Sequence, residues 1–319
     1  MNETWSRIPD RGSVAVARFG AWCYRWFGAQ VLAALAYLAV TYFFLTDGRR
    51  RRASLAYLRR VHATPRGREV LGRPPTTSDA FRHFRTFTAT LLDRAEMWLG
   101  DAEAFSFDVH GFEPFERLAE EKRGAIIVGS HLGNFDALRL LAVEKRFAAN
   151  VLMYVRNAPV INSVFREVAP ETEMHVIPIE EGSLKAAFEI RACIDRGELV
   201  AILGDRVEPR DSSHLHTVGL LGDEVRLPTA AFELALLLGC PLFMMTGIRR
   251  GPLKYEVFIE RLHESGRPPR AKRRAAAERL LEVYAAQLER LCQEAPYQWF
   301  NFYDYWGDES PRPRSGGSG

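Results

Sequence analysis

The chain has 319 residues, of which 47% are hydrophobic and 26% charged, and its formal net charge is +3. This length fits one large domain with an appendage or two small domains, and a mean hydropathy of −0.17 excludes a protein that crosses a membrane many times. The four cysteines are far apart and lack metal-site spacing, so we expect reduced, mostly buried thiols in a cytoplasm-facing protein.

The first element in the chain is an almost wholly apolar stretch at residues 26–46. At about 21 residues it is long enough to cross a bilayer as one helix, with Trp26 and Tyr42 placed as interfacial aromatics. No small-residue cleavage site follows, which argues against a removed signal peptide. A buried helix, or one that lies at the membrane surface, fits the same stretch.

Arginines occupy positions 49–52, 59 and 60, directly after the apolar stretch. The positive-inside rule then keeps the bulk of the protein cytoplasmic, and the cluster would attract anionic head groups, although it also fits a solvated helix face. It adjoins a membrane-length helix and lacks a base-stacking platform, which disfavours nucleic-acid binding. We predict an anchor with a basic juxtamembrane segment at 1–63, a single domain at 64–306 and a disordered tail at 307–319.

Strands and helices alternate through the predicted domain, after a Pro- and Gly-rich linker at 64–78. Strands are predicted at 105–109, 125–128, 151–155, 175–179, 199–203, 242–248 and 255–262; helices follow residue 79 and lie at 113–122, 159–168, 182–196, 229–238 and 275–294. This rhythm predicts parallel strand pairing with crossover helices.

The central motif is the turn after the strand at 125–128, where residues 129–133 read G-S-H-L-G. His131 stands at the carboxyl end of that strand, and Asp136 stands where a helix begins. A neutral imidazole oriented by a carboxylate is a general base near neutral pH, although a turn histidine and a helix-start acid fit the same letters. A nucleophile elbow would carry serine at the apex, whereas Ser130 is displaced by one, which argues against a serine hydrolase.

Three further polar residues follow neighbouring strands of the predicted sheet. Arg156 follows the strand at 151–155, and Asp205 and Arg206 follow the strand at 199–203. Parallel pairing places them on the same edge as His131, where open α/β sheets bind ligands. Asp205 and Arg206 could instead form salt bridges within their own loop.

Two later segments have ambiguous roles. Residues 207–226 are polar and contain glycine, so we expect a loop over the site, and His214 and His216 lack a third metal ligand. The densely aromatic segment P-Y-Q-W-F-N-F-Y-D-Y-W at 296–306 fits packing on the sheet or a membrane interface.

The residues 131–136, H-L-G-N-F-D, resemble the H-x4-D signature of the lysophospholipid acyltransferase superfamily, in the form of its bacterial lipid A late-acyltransferase (HtrB-type) branch. The motif W-S-R-I-P-D-R-G-S at 5–13 and the aromatic segment at 296–306 are similar to a subgroup associated with aryl-polyene or xanthomonadin-type lipids.

The resemblance implies an α/β fold with a mixed, mostly parallel sheet flanked by helices, like glycerol-3-phosphate acyltransferase, behind an amino-terminal membrane helix. It implies acyl transfer from an acyl carrier protein or coenzyme A thioester to a hydroxyl or amine of a lipid-like acceptor. No metal or cofactor is required. The expected place is the cytoplasmic face of a bacterial inner membrane.

The resemblance also implies residue roles. His131 would deprotonate the acceptor, and Asp136 would hold the other ring nitrogen of His131. Arg156 matches the arginine that ends the family's second block, and Gly133 and Asn134 join it as expected substrate-binding residues.

Backbone N–H groups around 129–133, or an arginine, would stabilise the tetrahedral intermediate. The third block departs from the family pattern, because Gly204, Asp205 and Arg206 stand there, so Asp205 and Arg206 are further substrate-binding candidates. An acyl-ester hydrolase using Ser130 or His131 and a non-catalytic lipid- or carrier-binding module are the alternatives.

Overall fold

The computed structural model describes residues 14–137, 148–154, 175–179, 184–207 and 214–307. The motif at 5–13, the predicted helix at 159–168 and the tail beyond residue 307 lie outside these ranges. Arg156 also lies outside the described residues, so its predicted place at the sheet edge stays a prediction.

A seven-stranded mixed sheet forms the centre of the fold. Its strands in chain order are β1 (Ser106–His110), β2 (Ala125–Gly129), β3 (Ala149–Tyr154), β4 (His175–Ile179), β5 (Leu199–Leu203), β8 (Leu242–Gly251) and β9 (Lys254–His263), and they lie in the order β1-β9-β8-β2-β5-β3-β4. All neighbouring pairs are parallel except β8 and β9. The predicted mostly parallel sheet flanked by helices is confirmed.

The central position of β2 follows from its composition. Its five residues, A-I-I-V-G, are all buried, which is typical of a parallel strand covered on both faces. Because β2 pairs with β5 in parallel, Gly129 lies opposite Leu203. The chain segments that follow these two strands therefore leave the same edge of the sheet side by side.

Eight helices are described around the sheet and at the amino terminus. They are α1 (Val14–Thr46), α2 (Gly48–Ala63), α3 (Pro65–Leu71), α4 (Thr77–Leu99), α5 (Glu113–Glu120), α6 (Leu184–Asp195), α7 (Ala230–Leu238) and α8 (Arg270–Glu294). A capping box of Thr76 and Asp79 starts α4, and the buried face of α8 includes Leu281, Tyr284 and Leu288.

The expected loop at 207–226 is wrong over its second part, where the chain forms a hairpin. Strands β6 (Leu215–Leu220) and β7 (Asp223–Pro228) pair antiparallel, and apolar side chains on alternate positions join the main core. Alternation with a period of two is confined to V-G-L at 218–220 and V-R-L at 225–227, and these runs are too short to stand out among the polar residues around them. The predicted linker at 64–78 also contains α3, and α8 begins five residues earlier than expected.

Helix α1 is longer than the predicted apolar stretch and is broken at Gly28, whose φ of 79° and ψ of 175° are not helical. Within it, Trp22–Thr46 is the one described helix that is long and apolar enough to cross a membrane. One side of α1 packs on α4, where Val40 and Phe44 lie in a cluster with Ala80 and Phe84. An apolar amino-terminal helix of this kind is consistent with membrane association.

The four cysteines, Cys23, Cys193, Cys240 and Cys292, are all buried and unpaired. The expectation of free, buried thiols is confirmed.

Candidate active site

The turn after β2 is shaped by a close approach of two backbones. Gly133 has a φ of +73°, and a Cβ added there would lie 2.1 Å from the carbonyl oxygen of Gly247 in β8. The next residue, Asn134, donates its backbone N–H to that same oxygen at 2.8 Å. Only glycine fits at position 133, because any side chain would collide with β8 in a backbone region that L residues avoid. The turn is thereby held against the sheet.

His131 and Asp205 meet at the carboxyl ends of β2 and β5. The Nδ1 atom of His131 lies 2.7 Å from Oδ1 of Asp205, and the backbone N–H of His131 donates to Oδ2 at 2.9 Å. The carboxylate therefore grips both the ring and the backbone of the same residue. The predicted convergence of these two residues on one sheet edge is confirmed.

Asp205 is fully buried and receives four hydrogen bonds. Besides the two from His131, Trp299 Nε1 donates at 2.9 Å and Asn301 Nδ2 at 3.1 Å. Burial alone would raise the pKa of Asp205, but the charge and hydrogen bonds of His131 and the charge of Arg206 bring the pKa below its ordinary value. Asp205 is therefore an ionised acceptor, and Nδ1 of His131 must carry the proton that it receives.

The opposite nitrogen of the ring, Nε2, has no hydrogen-bond partner among the residues that the structure describes, and the His131 side chain is 25% exposed. Burial lowers the pKa of His131 below its ordinary value of 6.5; Asp205 opposes this effect, and the charges of Arg206 and Arg94 reinforce it. The imidazole is therefore neutral at pH 7, with an unprotonated Nε2 that an incoming molecule can reach.

The aromatic segment at 296–306, here called the strap, runs antiparallel to the turn. Phe300 donates its N–H to the carbonyl of His131 at 2.9 Å, and Gly133 donates to the carbonyl of Gln298 at 2.9 Å. The Trp299 side chain is 1% exposed. Packing inside the protein, the first of the two interpretations of this segment, is confirmed.

A buried histidine, His83, forms a hydrogen bond with the backbone of the strap. His83 of α4 lies 3.0 Å from the carbonyl oxygen of Trp299 through Nε2 and 2.9 Å from Ser54 Oγ through Nδ1. Since a carbonyl can only accept, Nε2 donates and Nδ1 accepts. Burial lowers the pKa of His83 to about 3, so this ring stays neutral and fixed at physiological pH.

The motif predicts that Asp136 holds a ring nitrogen of His131, but the structure shows different partners for Asp136. Its carboxylate forms an ion pair with Arg94 and accepts a hydrogen bond from Trp98 Nε1 at 3.1 Å, both on α4. The reason lies in the turn: the helical residues begin at Phe135, and the first helical turn directs Asp136 toward α4. The carboxylate that contacts Nδ1 of His131 is that of Asp205. A contribution of Asp136 to the reaction stays a prediction.

Asn134 is also turned into the protein. Its Nδ2 donates to the hydroxyl of Tyr255 at 3.0 Å, its Oδ1 accepts from the N–H of Asp136 at 3.0 Å, and the residue is 2% exposed. These contacts fix the start of the helical turn. Contact of Asn134 or Gly133 with substrate stays a prediction.

The guanidinium of Arg206 donates two hydrogen bonds to the strap. Its Nε donates to Asn301 Oδ1 at 2.7 Å and its Nη2 to the carbonyl of Phe300 at 3.1 Å. Asn301 thus bridges Arg206 and Asp205, so these contacts keep Arg206 beside the carboxylate. Whether Arg206 also touches substrate stays a prediction.

Three of the backbone donors around 129–133, which were expected to stabilise an oxyanion, already have partners. The N–H of His131 donates to Asp205, that of Leu132 to Ser130 Oγ at 3.3 Å, and that of Gly133 to Gln298. Among the described residues, no hydrogen bond joins Ser130 to His131, and Ser130 is 6% exposed. These contacts leave fewer backbone donors for an oxyanion, so an arginine stays a candidate donor, and the described part of the site contains no serine–histidine pair.

Two further histidines among the described residues each lie beside a glutamate. His214 lies 3.1 Å from Glu233, and His216 lies 3.3 Å from Glu282. In the described ranges, Asp108, His110 and Glu256 are close enough to share an ion, but they lie on β1 and β9, at the exposed edge of the sheet.

Sequence reasoning missed Arg94, Trp98, Trp299 and Asn301 as neighbours of the His131 site. Trp98 and Arg94 lie 38 and 42 residues before Asp136, within a helix whose apolar stripe gave no functional signal. The density of aromatic and amide residues in the strap was visible, but it did not indicate which side chains would face Asp205.

Comparison with known families identifies the chain. The model of a family described as bacterial lipid A biosynthesis acyltransferase matches residues 80–307, which include most of α4, the His131–Asp205 pair and the strap. A search of curated proteins finds no match. Because the match covers more than two thirds of the sequence, the chain belongs to the bacterial lipid A biosynthesis acyltransferase family and is an acyltransferase for lipid-like acceptors.

Proposed function

We propose that this protein moves an acyl chain from a thioester, carried by acyl carrier protein or coenzyme A, to a hydroxyl or amine of its lipid-like acceptor. The observation that carries the proposal is the His131–Asp205 pair: Nδ1 lies 2.7 Å from an ionised carboxylate, while Nε2 has no partner among the described residues. This is the arrangement of a general base that awaits a proton from an incoming group.

The reaction needs one proton transfer in each direction. The acceptor oxygen or nitrogen attacks the thioester carbonyl carbon while Nε2 of His131 takes its proton, which gives a tetrahedral oxyanion and an imidazolium. Asp205 stabilises that imidazolium through Nδ1. Collapse of the intermediate breaks the carbon–sulfur bond, and the departing thiolate takes the proton back from Nε2. The step moves no electrons to or from a redox centre, so we propose that it uses no metal or cofactor.

Arg94 is our candidate for the oxyanion donor. Its charge reaches His131, since it lowers the pKa of the ring, and its side chain is 47% exposed although it pairs with Asp136. Asp136 would then act by orienting this guanidinium. A fixed cation at the developing negative charge is usually a large contribution to catalysis of acyl transfer.

The end motifs at 5–13 and 296–306 support an aryl-polyene acyl chain as an alternative to an ordinary fatty acyl chain. The anionic lipids of the cytoplasmic leaflet attract basic segments, so the arginines at 49–52 support a place at the cytoplasmic face of a bacterial inner membrane, with the amino-terminal residues 1–63 as the anchor.

The test is acyl transfer by purified His131→Ala protein, with a labelled acyl thioester and the extracted lipids of its source as acceptor. Loss of the general base should lower the transfer rate by about 10²–10⁴-fold. His214→Ala is the matched control, because His214 is exposed and lies directly before strand β6. Full transfer by folded His131→Ala protein would eliminate the proposed role.

The same assay separates the alternatives. Release of free fatty acid at equal rates with and without acceptor, lost in Ser130→Ala protein, would favour a hydrolase. Thioester binding without turnover across donors of varied chain length would favour a non-catalytic module.

A further inference from the structure

Helix α1 contacts the catalytic domain along almost the full length of α4. At one end the Tyr24 hydroxyl donates to Glu96 at 2.8 Å, and at the other end Phe44 contacts the rings of Phe81 and Phe84, with centroids 4.9 and 5.3 Å apart. The two helices therefore run antiparallel, side by side. Any orientation of α1 relative to a membrane is imposed on α4 as well.

Helix α4 carries charges that belong to the folded domain. Asp93 accepts from Arg249 of β8 at 2.7 Å, and Arg94 pairs with Asp136 beside the active site. With 23 residues, α4 is about 34 Å long, which is more than the hydrocarbon thickness of a bilayer. If α1 crossed the bilayer, these charges and the active site would enter the hydrocarbon, where charged groups are costly.

The break at Gly28 leaves a continuous helix near the lower limit of length for a span. After Gly28, residues 29–46 form the continuous apolar helix, and these 18 residues extend about 27 Å. This is slightly less than the roughly 30 Å that a perpendicular helix must cover.

The side of α1 that faces away from α4 is strongly apolar and exposed. On this side the exposed fractions are 70% at Leu38, 62% at Tyr42 and 68% at Leu45, which recur at helical spacing; before the break, Trp26 and Phe27 are exposed by 74% and 56%. Exposed arginines stand at both ends of this surface, at positions 25, 49 and 52. An apolar strip with basic ends matches the acyl and phosphate layers of one anionic leaflet.

We propose that α1 lies flat in one leaflet of an anionic bilayer and does not span it, with its outer face in the acyl region and the arginines at the phosphates. The catalytic domain then rests on the membrane through α4. Because Trp98 of α4 contacts Asp136 and Phe87 of α4 packs on Phe300 of the strap, a single helix layer of roughly 10 Å separates α1 from the active site. An acceptor lipid reaches His131 sideways from the leaflet, a consequence that rests on the proposed function.

The topology test uses the full chain in bacterial inner membranes. Cysteines are placed one at a time at the ends of the apolar segment, Arg25→Cys and Thr46→Cys, with Lys272→Cys as the marker of the catalytic side. The four native cysteines are buried and give a low background. A membrane-impermeant maleimide should label all three positions in inverted vesicles and none in spheroplasts. Labelling of Arg25→Cys and Thr46→Cys from opposite faces would overturn the proposal.

A second measurement tests the occupant of the apolar face. Trp26→Ser, Leu38→Ser and Leu45→Ser together should weaken partition onto phosphatidylglycerol-containing vesicles by at least about tenfold. Phe188→Ser is the matched control, since Phe188 is 72% exposed on α6, and it should leave partition unchanged. Unchanged partition of the triple variant would contradict the proposal. So would a wild-type dimer in detergent that the three substitutions convert to a monomer with partition retained, because the apolar face would then be covered by a second copy of the chain.

Neither readout depends on acyl transfer. If the labelling contradicts the proposed topology, the conclusion from His131→Ala is unaffected. If the proposed function is wrong, the conclusion from the labelling pattern is likewise unaffected.

Discussion

A single carboxylate decides how His131 is presented. Asp205 accepts hydrogen bonds from His131 Nδ1, the His131 backbone, Trp299 and Asn301, so its position is fixed by two segments of the chain, the turn after β2 and the strap. The acid in the motif, Asp136, instead pairs with Arg94 and accepts a hydrogen bond from Trp98. The two acids thus have separable roles: Asp205 orients the base, His131, and Asp136 orients the cation, Arg94.

Replacing each acid by its amide should separate those roles. Asp205→Asn removes the charge that stabilises the imidazolium and should lower the transfer rate by about 10²–10⁴-fold. Asp136→Asn weakens the contacts to Arg94 and Trp98 but leaves Asp205 at the base, so it should cost at least tenfold less. The measurement is kcat for both variants, with circular dichroism to show that each is folded. The reverse order of losses would return Asp136 to the role that the motif predicted.

The pH dependence of the reaction should follow the lowered pKa of His131. Since the unprotonated ring is the base, kcat/KM should be level above pH 6.5 and fall with unit slope only at a pH below 6.5. Arg94 lowers this pKa, so Arg94→Gln should move the acid limb to higher pH, whereas Arg94→Lys should not. An acid limb centred above pH 6.5 in the wild type would contradict this assignment.

Among the elements, the turn after β2 and the strap depend on each other. The strap pairs with His131 and Gly133 through the backbone, while His83 of α4 holds the carbonyl of Trp299 from the other side. Gly133 permits this arrangement because it brings the turn within hydrogen-bond distance of β8. The element that supplies the base is therefore built from four segments distant in sequence.

Alanine at Gly133 should cost far more than alanine at a glycine of similar backbone conformation. Gly222, in the turn between β6 and β7, has a φ of +86° and nothing within 4 Å of an added Cβ. Gly222→Ala should lower the free energy of unfolding by about 1–2 kcal/mol through backbone strain alone. Gly133→Ala adds a collision with Gly247, so we expect a loss of at least about 3 kcal/mol, together with most of the activity. Equilibrium urea unfolding in detergent measures both, and equal losses would refute the steric argument.

The layout of the sheet was accessible from sequence because buried parallel strands are short apolar runs with glycine nearby. That pattern placed β2 and β5 and brought Asp205 to the edge that holds His131. The carboxylate that pairs with His131 could not be predicted from the sequence. It depends on the direction in which the first helical turn points Asp136, and that direction is set by contacts with α4, 38 to 42 residues earlier in the chain. The β6–β7 hairpin was missed because its alternation lies among polar residues.

For the whole molecule, α4 connects the apolar amino-terminal helix to the active site. One side of α4 packs on α1 through Phe84, and another reaches the strap through His83 and Phe87. A break in the α1–α4 contact should therefore affect lipid acceptors held in a membrane more than acceptors free in solution.

Phe44→Ala tests this connection, because Phe44 is 7% exposed and lies between Phe81 and Phe84. Loss of a buried phenyl ring should lower the free energy of unfolding by about 3 kcal/mol. The rate with bilayer-held acceptor should fall several-fold more than the rate with a dispersed short-chain acceptor, because α1 no longer holds α4 at the leaflet. Phe188→Ala, at an exposed position, is the control and should change neither quantity. Equal falls in the two rates would mean that α1 supports the fold alone and does not bring the active site to the lipid.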